Sequence, residues 1–250
     1  MPPQDAPEPA RPRESEPDKP LATVVLATNN AKKLAELRAV VDGFRIPALV
    51  IGLADLDPYP EPAETERSFE GNAIIKAREC ALRTGLPALA DDSGLEIDAL
   101  NGCPGVRSAR WAGPQCDDED NNALLLRQLS DVPMGERQGR FVCAMAFAVP
   151  DGQGGLRRCE VVRGEWPGEL ATEHRGSNGF GYDPLFIPDD APVVDGRRLH
   201  SAALDPQTKN QLSHRGQAVR TMLLVVAGLL NLKDMSRHES PDEDDDAAVS

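Results

Sequence analysis

The feature that most constrains the fold is the segment between Arg140 and Val149, in which almost every residue is apolar. A continuous apolar run of this length is typical of a strand at the centre of a sheet, buried on both faces. The Gly-rich and Asp-containing segment 151–155 then predicts a hairpin connection to a further strand over 159–165. We therefore predict a central pair of antiparallel strands within a larger sheet.

Strand and helix patterns alternate in the first half of the chain. Strands are predicted over 23–27 and 86–90, and helices from 31, from about 68, over 117–129 and from about 213. The predicted buried faces of three of these helices are Ala31, Leu34, Leu37 and Val41; Phe69, Ala73, Ala77 and Cys80; and Val219, Met222, Leu223, Val226 and Leu230. Helices that alternate with strands, followed by a hairpin, predict an α/β fold with a mixed sheet.

The two ends of the chain differ from its body in composition. Residues 1–20 contain seven Pro and almost no apolar side chains, and residues 233–250 contain seven acidic residues. We predict that both are disordered tails, because they cannot bury enough surface to offset chain entropy. The body, 21–232, is one domain with a net charge of −7 out of the total of −14. It has no general positive field for a nucleic acid, although a local site for a small anion remains possible.

The sequence also bears on cellular location and on redox chemistry. It has no apolar run of membrane-spanning length and no signal-peptide core, so we expect a cytoplasmic protein without a membrane partner. Its five cysteines are odd in number and show no metal-binding spacing, which predicts free thiols. Cys80 and Cys143 lie in apolar patterns, as small core residues do.

Two adjacent carboxylates, Asp91 and Asp92, follow the apolar run 86–90 and precede Ser93 and Gly94. We interpret the segment as a strand that ends in acids and a Gly turn. Because side chains alternate along a strand, the two carboxylates should diverge, one toward a pocket where it can bind a metal and the other toward supporting hydrogen bonds. The pattern does not show which of the two carboxylates faces the pocket. The alternative interpretation is a simple polar turn.

A candidate phosphate site lies at residues 28–33, where small polar residues join a strand to a helix and are followed by Lys32 and Lys33. Open N–H groups at a helix N-terminus, together with ammonium groups, bind phosphate oxygens well. The alternative is an ordinary Asn cap with exposed lysines.

Glu64 precedes the helix that carries Asn72 and Lys76 on one face. With Asp91 or Asp92, Glu64 can supply the hard oxygen ligands that Mg²⁺ prefers. The alternative is a solvated loop Glu.

Two further clusters carry polar and aromatic groups. Segment 176–184 alternates Gly with Phe180 and Tyr182, so an aromatic ring can stack on a base while Asp183 accepts from its N–H groups. The alternative is a Gly-rich turn whose aromatic side chains return to the core. Lys209 and the segment 213–216 add cationic and hydroxyl donors at a helix entrance, which suit phosphate or a carbonyl-bearing base, although His214 alone could be structural.

Six motifs then occur in the order found in one known family. They are Thr28-x-Asn30-x-x-Lys33, Ser68-Phe69-x-x-Asn72-Ala73-x-x-Lys76-Ala77, Ala90-Asp91-Asp92-Ser93-Gly94-Leu95, Gly105-Val106-x-Ser108-Ala109-Arg110, Gly179-Phe180-Gly181-Tyr182-Asp183-Pro184 and Ser213-His214-Arg215-Gly216. From about residue 24 to 230 the chain resembles the inosine/xanthosine triphosphate pyrophosphatases.

This resemblance implies a homodimer with an elongated mixed sheet, flanking helices and two lobes around a nucleotide cleft. It implies hydrolysis of ITP, dITP or XTP to the monophosphate and pyrophosphate. Glu64 and Asp92 would bind Mg²⁺, and Asp92 would also orient or deprotonate the attacking water. Phe180 would stack on the base. The other implied nucleotide contacts are Thr28, Asn29, Asn30, Ala31, Lys32 and Lys33 for the triphosphate, with Ser93, Gly181, Tyr182, Asp183, Lys209, His214 and Arg215.

The hypothesis from the sequence is therefore a Mg²⁺-dependent enzyme that removes deaminated purine triphosphates from the nucleotide precursor pool. Phosphoryl transfer needs mainly positioning and charge neutralisation, which these residue types supply without a covalent nucleophile. Two alternatives remain: a sensor that binds the nucleotide without hydrolysing it, and an interaction role for the acidic C-terminal segment.

Overall fold

A computed structural model describes residues 22–31, 33–35, 38, 48–115 and 117–229. A mixed sheet of six strands is ordered β2-β1-β3-β4-β5-β6, and a separate pair is formed by β7 and β8. The strands are β1 (Ala22–Leu26), β2 (Ala48–Gly52), β3 (Ala88–Ile97), β4 (Gln138–Pro150), β5 (Leu156–Leu170), β6 (Phe186–Pro188), β7 (Val193–Val194) and β8 (Arg197–Arg198). β1 runs parallel to β2 and β3, whereas the β3-β4, β4-β5 and β5-β6 pairs are antiparallel. This confirms the predicted α/β class and the mixed sheet.

β4 lies inside the sheet and is buried on both faces, as its apolar run predicts. Its side chains alternate between the two faces of the sheet, and those on one face are smaller than those on the other. One face carries Val142, Ala144, Ala146 and Ala148, and the other carries Cys143, Met145, Phe147 and Val149. The sheet therefore presents small side chains to one covering layer and larger ones to the other.

Helices cover the two faces of this sheet. α1 (Phe69–Thr84) packs on one face and α4 (His214–Leu229) on the other. Two shorter helices are α2 (Asp118–Gln128) and α3 (Pro206–Leu212), and residues 31, 33–35 and 38 are also helical. Short 3-10 turns occur at Leu53–Asp55, Asp98–Leu100, Gly105–Arg110 and Ser201–Ala203. α1 begins after Ser68, whose hydroxyl accepts from the Gly71 N–H and so satisfies a helix-terminal donor. The predicted starts near residues 68 and 213 are confirmed.

The two longest helices bury the side chains that their periodicity predicts. Phe69, Ala73, Ala77 and Cys80 of α1 pack on the small-residue face of the sheet. Val219, Met222, Leu223 and Val226 of α4 pack on the other face. A third core cluster, which includes Leu125 of α2, Trp166 and Phe186, lies at the far end of the sheet.

The interpretation of Asp91–Gly94 as the end of a strand is wrong. β3 continues through these residues to Ile97, because the whole stretch pairs with β4. Gly94 is required by a close approach and not by a turn. A Cβ at this position would lie 2.5 Å from Ser108 Oγ and 2.6 Å from the Gly105 carbonyl oxygen.

Several predictions fall on residues that the structure does not describe. These are the two tails, Lys32, Leu37, Val41, Cys116 and Leu230. Cys80 and Cys143 are buried free thiols, as predicted, while Cys103 and Cys159 are exposed free thiols. None of the described helices is long and apolar enough to cross a membrane.

Candidate active site

A cleft of about 590 Å³ brings together most of the residues singled out in the sequence. It lies beside β3, α1, the loop before β6 and the start of α4. The predicted residues that line it are Asn30, Ala31, Lys33, Glu64, Asp92, Ser93, Phe180, Gly181, Tyr182, Asp183, Lys209, His214 and Arg215. Thr28 and Asn29 lie outside this lining.

The segment after β1 contains a helix cap and also places a lysine side chain at the cleft. The Asn30 side chain accepts from the Lys33 N–H at 3.3 Å, and Thr28 Oγ1 accepts from the Asn30 N–H at 3.1 Å. Asn30 therefore acts as a helix cap. The Lys33 side chain nevertheless reaches the cleft, where its Nζ lies 2.7 Å from Asp91 Oδ2.

Asp91 is almost fully buried and surrounded by donors. Besides Lys33, Ser93 Oγ donates to Asp91 Oδ2 at 2.9 Å, and Arg215 Nε lies 3.8 Å from the same oxygen. Burial alone would raise the pKa of Asp91, but the two cations and the hydroxyl hold it well below its usual range. Asp91 is therefore a permanent anion that fixes two cations beside the cleft.

Asp92 lies on the opposite face of β3 and lines the cleft, so the predicted divergence of the two carboxylates is confirmed. Asn72 Nδ2 donates to Asp92 Oδ2 at 3.1 Å, and Lys76 Nζ lies 3.4 Å from Oδ1. Burial raises the pKa of Asp92, and the negative charge of Glu64 adds to this effect against the opposing pull of Lys76 and Asn72. The geometry thus favours Asp92 over Asp91 as the carboxylate that faces a ligand.

Glu64 meets Asp92 at the same ammonium group. Lys76 Nζ lies 2.5 Å from Glu64 Oε1, and Arg110 Nη1 lies 2.9 Å from Glu64 Oε2. Burial opposes ionisation of Glu64, but Lys76 and Arg110 outweigh it and lower the pKa of the carboxyl group. The neighbouring carboxylates likewise outweigh burial at Lys76 and raise the pKa of its ammonium. This loop Glu is therefore part of an ordered charge cluster.

The donor chemistry of this cluster fits a divalent cation. Mg²⁺ is commonly held by one or two carboxylates, with water and substrate phosphates as its other ligands. Glu64 and Asp92 both face one position that already holds positive charge, the Lys76 ammonium. No group of three or more His, Cys, Asp or Glu side chains that could hold a metal occurs within the described ranges. A metal here would rely on these two carboxylates.

The two aromatic side chains of segment 179–183 lie in different surroundings. Phe180 lies at the cleft, with Lys209 Nζ 5.7 Å and Arg215 Cζ 5.4 Å from its ring centroid. These are cation–π distances. Tyr182 instead returns to the core, and its hydroxyl donates to the Ser108 carbonyl oxygen at 2.8 Å.

Asp183 is buried and already accepts several hydrogen bonds. Its Oδ2 accepts from the Phe180 N–H at 2.9 Å and pairs with Lys209, while its Oδ1 accepts from Ser201 Oγ at 2.6 Å. These contacts make Asp183 the anchor of the loop and of the Lys209 ammonium.

His214 is the first residue of α4, and its ring lies within the aromatic end of the core. It stacks on Phe141 with a centroid separation of 4.9 Å and an interplanar angle of 12°. Burial, reinforced by Arg215 and Lys209, lowers the pKa of His214 well below its usual value, so the ring is neutral. Its Nδ1 is buried and has no hydrogen-bond partner in the described part of the chain.

Several residues without a predicted site role also lie at this site. Lys76, Ser108, Asp118 and Phe141 line the cleft, and Arg110 binds Glu64. Lys76 shows a signal because it shares a helix face with Asn72, and Ser108 and Arg110 belong to one of the six motifs. In the sequence, Asp118 does not differ from other acidic residues in the first turn of a helix.

Comparison with known proteins gives a consistent result. The Ham1 family model matches residues 24–225. The dITP/XTP pyrophosphatase of Cutibacterium acnes is 51% identical over 211 residues, which is 84% of this chain and 98% of that protein. The enzyme of the same name from Nocardia farcinica is 51% identical over 210 residues, 84% of this chain and 97% of that protein.

Two solved structures share the fold. A HAM1 protein from Coxiella burnetii matches with a TM-score of 0.72 and 40% identity, over 83% of this chain and 99% of that one. A nucleoside-triphosphatase, dITP/XTP pyrophosphatase, from Mycobacterium abscessus matches with a TM-score of 0.65 and 45% identity, over 82% and 99%. The resemblance inferred from the six motifs is confirmed, and the chain belongs to the Ham1 family.

Proposed function

We propose that this protein hydrolyses non-standard purine nucleoside triphosphates, namely ITP, dITP and XTP, to the monophosphate and pyrophosphate with the help of Mg²⁺. The observation that carries this proposal is the convergence of Glu64 and Asp92 on one cation position inside a cleft. The same cleft holds an aromatic ring and several fixed cations. Relatives named dITP/XTP pyrophosphatase, about half identical over nearly their whole length, support the same activity.

The cations of the cleft suit a polyphosphate chain. Lys33, Lys209 and Arg215 line it, and each lies within 4 Å of a buried Asp carboxylate that holds its charged group in place. Preorganised positive charge stabilises the negative charge that develops on phosphate oxygens during transfer. We assign Lys33 to the triphosphate, and Lys209 and Arg215, whose charged groups lie beside the Phe180 ring, to the nucleoside end of the cleft.

The carboxylates supply the remaining chemistry. When bound by Glu64 and Asp92, Mg²⁺ would neutralise charge on the phosphate oxygens. We assign to Asp92 the orientation of a water molecule and the acceptance of its proton. That water attacks the α-phosphorus, the bond to the bridging oxygen breaks, and pyrophosphate leaves. Asp92 lines the cleft, whereas Asp91 lies on the other face of the strand against Lys33, Ser93 and Arg215, so Asp92 is the carboxylate that can reach this water.

Selection of the base follows from the donors beside the Phe180 ring. Phe180 offers a ring face for stacking. Arg215 also lines the cleft, and a guanidinium group has only N–H donors. It therefore suits the 6-oxo group of hypoxanthine or xanthine and disfavours the amino group of adenine. A site left with unpaired donors rejects the wrong base by roughly 10⁴-fold.

Product identification tests the proposal. The protein is incubated with Mg²⁺ and ITP, XTP, dITP, ATP or GTP, and the products are separated by anion-exchange chromatography. We expect monophosphate and pyrophosphate from the first three nucleotides. Release of orthophosphate alone would contradict cleavage at the α-phosphate, and a preference for ATP would contradict the assignment of the base. Tight binding of ITP without turnover would instead identify a sensor.

Replacement of one carboxylate tests the assigned role of Asp92. Asp92→Asn is isosteric, and we expect it to lower kcat by at least about 100-fold while the protein stays folded. Asp98→Asn is the matched control, because Asp98 follows the same strand but its side chain is 57% exposed. Near-normal turnover by Asp92→Asn would reject this role.

A further inference from the structure

The N-terminal part of α2 contacts the loop that carries Phe180. Asp118 Oδ2 accepts from the Gly181 N–H at 2.7 Å, and Asn122 Nδ2 donates to the Gly181 carbonyl oxygen at 2.9 Å. Two side chains one helical turn apart thus bind both polar groups of a single glycine. They come from a segment about sixty residues away in the sequence.

Other contacts hold the residues on either side of Gly181, and α2 contacts the loop at Gly181 itself. The Phe180 N–H donates to Asp183 at 2.9 Å, and the Tyr182 hydroxyl donates to the Ser108 carbonyl oxygen at 2.8 Å. The peptide between these anchors is the one that joins Phe180 to Gly181. Its N–H donates to Asp118, and its carbonyl oxygen accepts from the Asp183 N–H at 3.4 Å, so Asp118 is a contact from outside the loop on the peptide next to the Phe180 ring.

The two α2 residues differ in their surroundings. Asn122 is 3% exposed, and its Oδ1 is buried with no partner among the described residues. Asn122 therefore makes its one side-chain hydrogen bond to the loop and leaves its own acceptor unsatisfied, which is unfavourable in a buried position. Asp118 is exposed in the first turn of α2 and lines the cleft. It can thus be replaced without opening a core cavity.

We propose that Asp118 and Asn122 are positioning residues that hold Gly181 so that the Phe180 ring is fixed for stacking on the purine base. This inference rests on the proposed function, because it assigns the base to Phe180. It makes α2 a determinant of affinity for the nucleoside part of the substrate. The triphosphate contacts, which lie on other segments, do not depend on it.

The test compares a substrate with a base and a ligand without one. The kcat and KM of ITP hydrolysis are measured for the wild type, Asp118→Ala and Asp118→Asn, together with the inhibition constant of inorganic tripolyphosphate. Since stacking contributes directly to binding of the base, we expect Asp118→Ala to raise KM roughly tenfold with kcat changed by less than about threefold. Tripolyphosphate inhibition should stay unchanged. Asp118→Asn should restore most of the affinity, because its amide oxygen can still accept from Gly181.

Glu119→Ala is the matched control, because Glu119 lies in the same acidic first turn and is exposed. It removes the same charge from the helix terminus and should leave KM unchanged. An unchanged KM in Asp118→Ala, or an equal loss of affinity for ITP and tripolyphosphate, would overturn the proposal. Failure of the proposed function is distinct from this result, since the wild type itself would then not hydrolyse ITP.

Discussion

Asp91 and Asp92 are neighbours on β3, yet their surroundings shift their pKa values in opposite directions. Asp91 pairs across the sheet with Met145 and faces Lys33 and Arg215, which lower its pKa despite burial. Asp92 faces the other layer, where burial and a nearby carboxylate raise its pKa. The alternation of a strand is enough to give two identical side chains different chemistry.

The low pKa of Asp91 makes a prediction about stability and pH. Asp91→Asn leaves two cations without their buried counter-ion, so we expect a loss of about 3 kcal/mol of unfolding free energy near pH 7. Because the folded pKa lies below the ordinary value of 3.8, this contribution is complete above that pH. It is lost as pH falls through the folded pKa. Urea denaturation of both proteins from neutral pH down to about pH 2 measures it.

The difference between wild type and Asp91→Asn should therefore shrink as acid is added. Asp98→Asn, which removes an exposed carboxylate, should change the unfolding free energy by less than about 0.5 kcal/mol at every pH. A difference that stays constant with pH would show that Asp91 stabilises the fold by packing and not by charge.

For single residues, the sequence predicts a site role where neighbouring residues along the chain form a recognisable cluster. Lys33 and Asp92 belong to recognisable clusters, and the structure brings both to the cleft. Arg110 belongs to a motif that does not show its partner, and Asp118 lies in none of these clusters. Each acts on a partner far along the chain, 46 and 63 residues away, and a local pattern carries no information about such contacts.

Among the elements, β5 and α4 lie in very close contact. A Cβ at Gly164 of β5 would overlap the His214 carbonyl oxygen and lie 2.8 Å from the Ala218 backbone nitrogen. The helix can lie this close to the strand only because position 164 has no side chain. The same helix begins with His214 and Arg215, so its position also sets theirs.

Gly164→Ala should therefore reduce both stability and substrate affinity. We expect a loss of about 1–3 kcal/mol of unfolding free energy because overpacking displaces the start of α4. A raised KM for ITP should accompany this loss. Thermal denaturation and steady-state kinetics measure the two effects.

Gly228→Ala is the control for this substitution. Gly228 lies in the same helix with open space around it, and alanine there should raise stability by up to about 1 kcal/mol. Equal behaviour of the two variants would show that Gly164 does not set the helix position.

Prediction of the elements succeeded where periodicity is long and failed where turn chemistry competes with pairing. The helix over Phe69–Thr84 follows from its spaced small and apolar residues and from Ser68. The extent of β3 did not follow, because Asp-Asp-Ser-Gly is typical of a turn. Ten residue pairs with β4 override this local preference, and a single sequence does not show them.

For the whole molecule, we propose a homodimer, which the family resemblance implies. The chain has a net charge of −14, so two copies repel each other at low ionic strength. We expect light scattering after size exclusion to give the mass of two chains, with a dimer fraction that rises with salt as this repulsion is screened. The mass of one chain at every salt concentration would contradict the proposal.

The sequence predicts the fold class of the whole molecule, but not the order of the strands in its sheet. Alternating patterns and the buried run at β4 predict a mixed α/β sheet, whereas the order β2-β1-β3-β4-β5-β6 depends on pairings between distant segments. The cleft was predictable only through the resemblance of six motifs. Composition and charge by themselves do not bring Glu64 and Asp92 to the same ammonium.

The alanine face of β4 has a consequence for catalysis. Ala144 and Ala146 lie between the sheet and α1, and Ala73 and Ala77 of the helix meet them. The helix backbone therefore lies near enough to β3 for the short Asn72 side chain to reach Asp92. Larger side chains in this layer would widen the gap between the Asp92 carboxylate and its helical partners. Residues outside the lining of the cleft thus set the spacing on which the proposed hydrolysis depends.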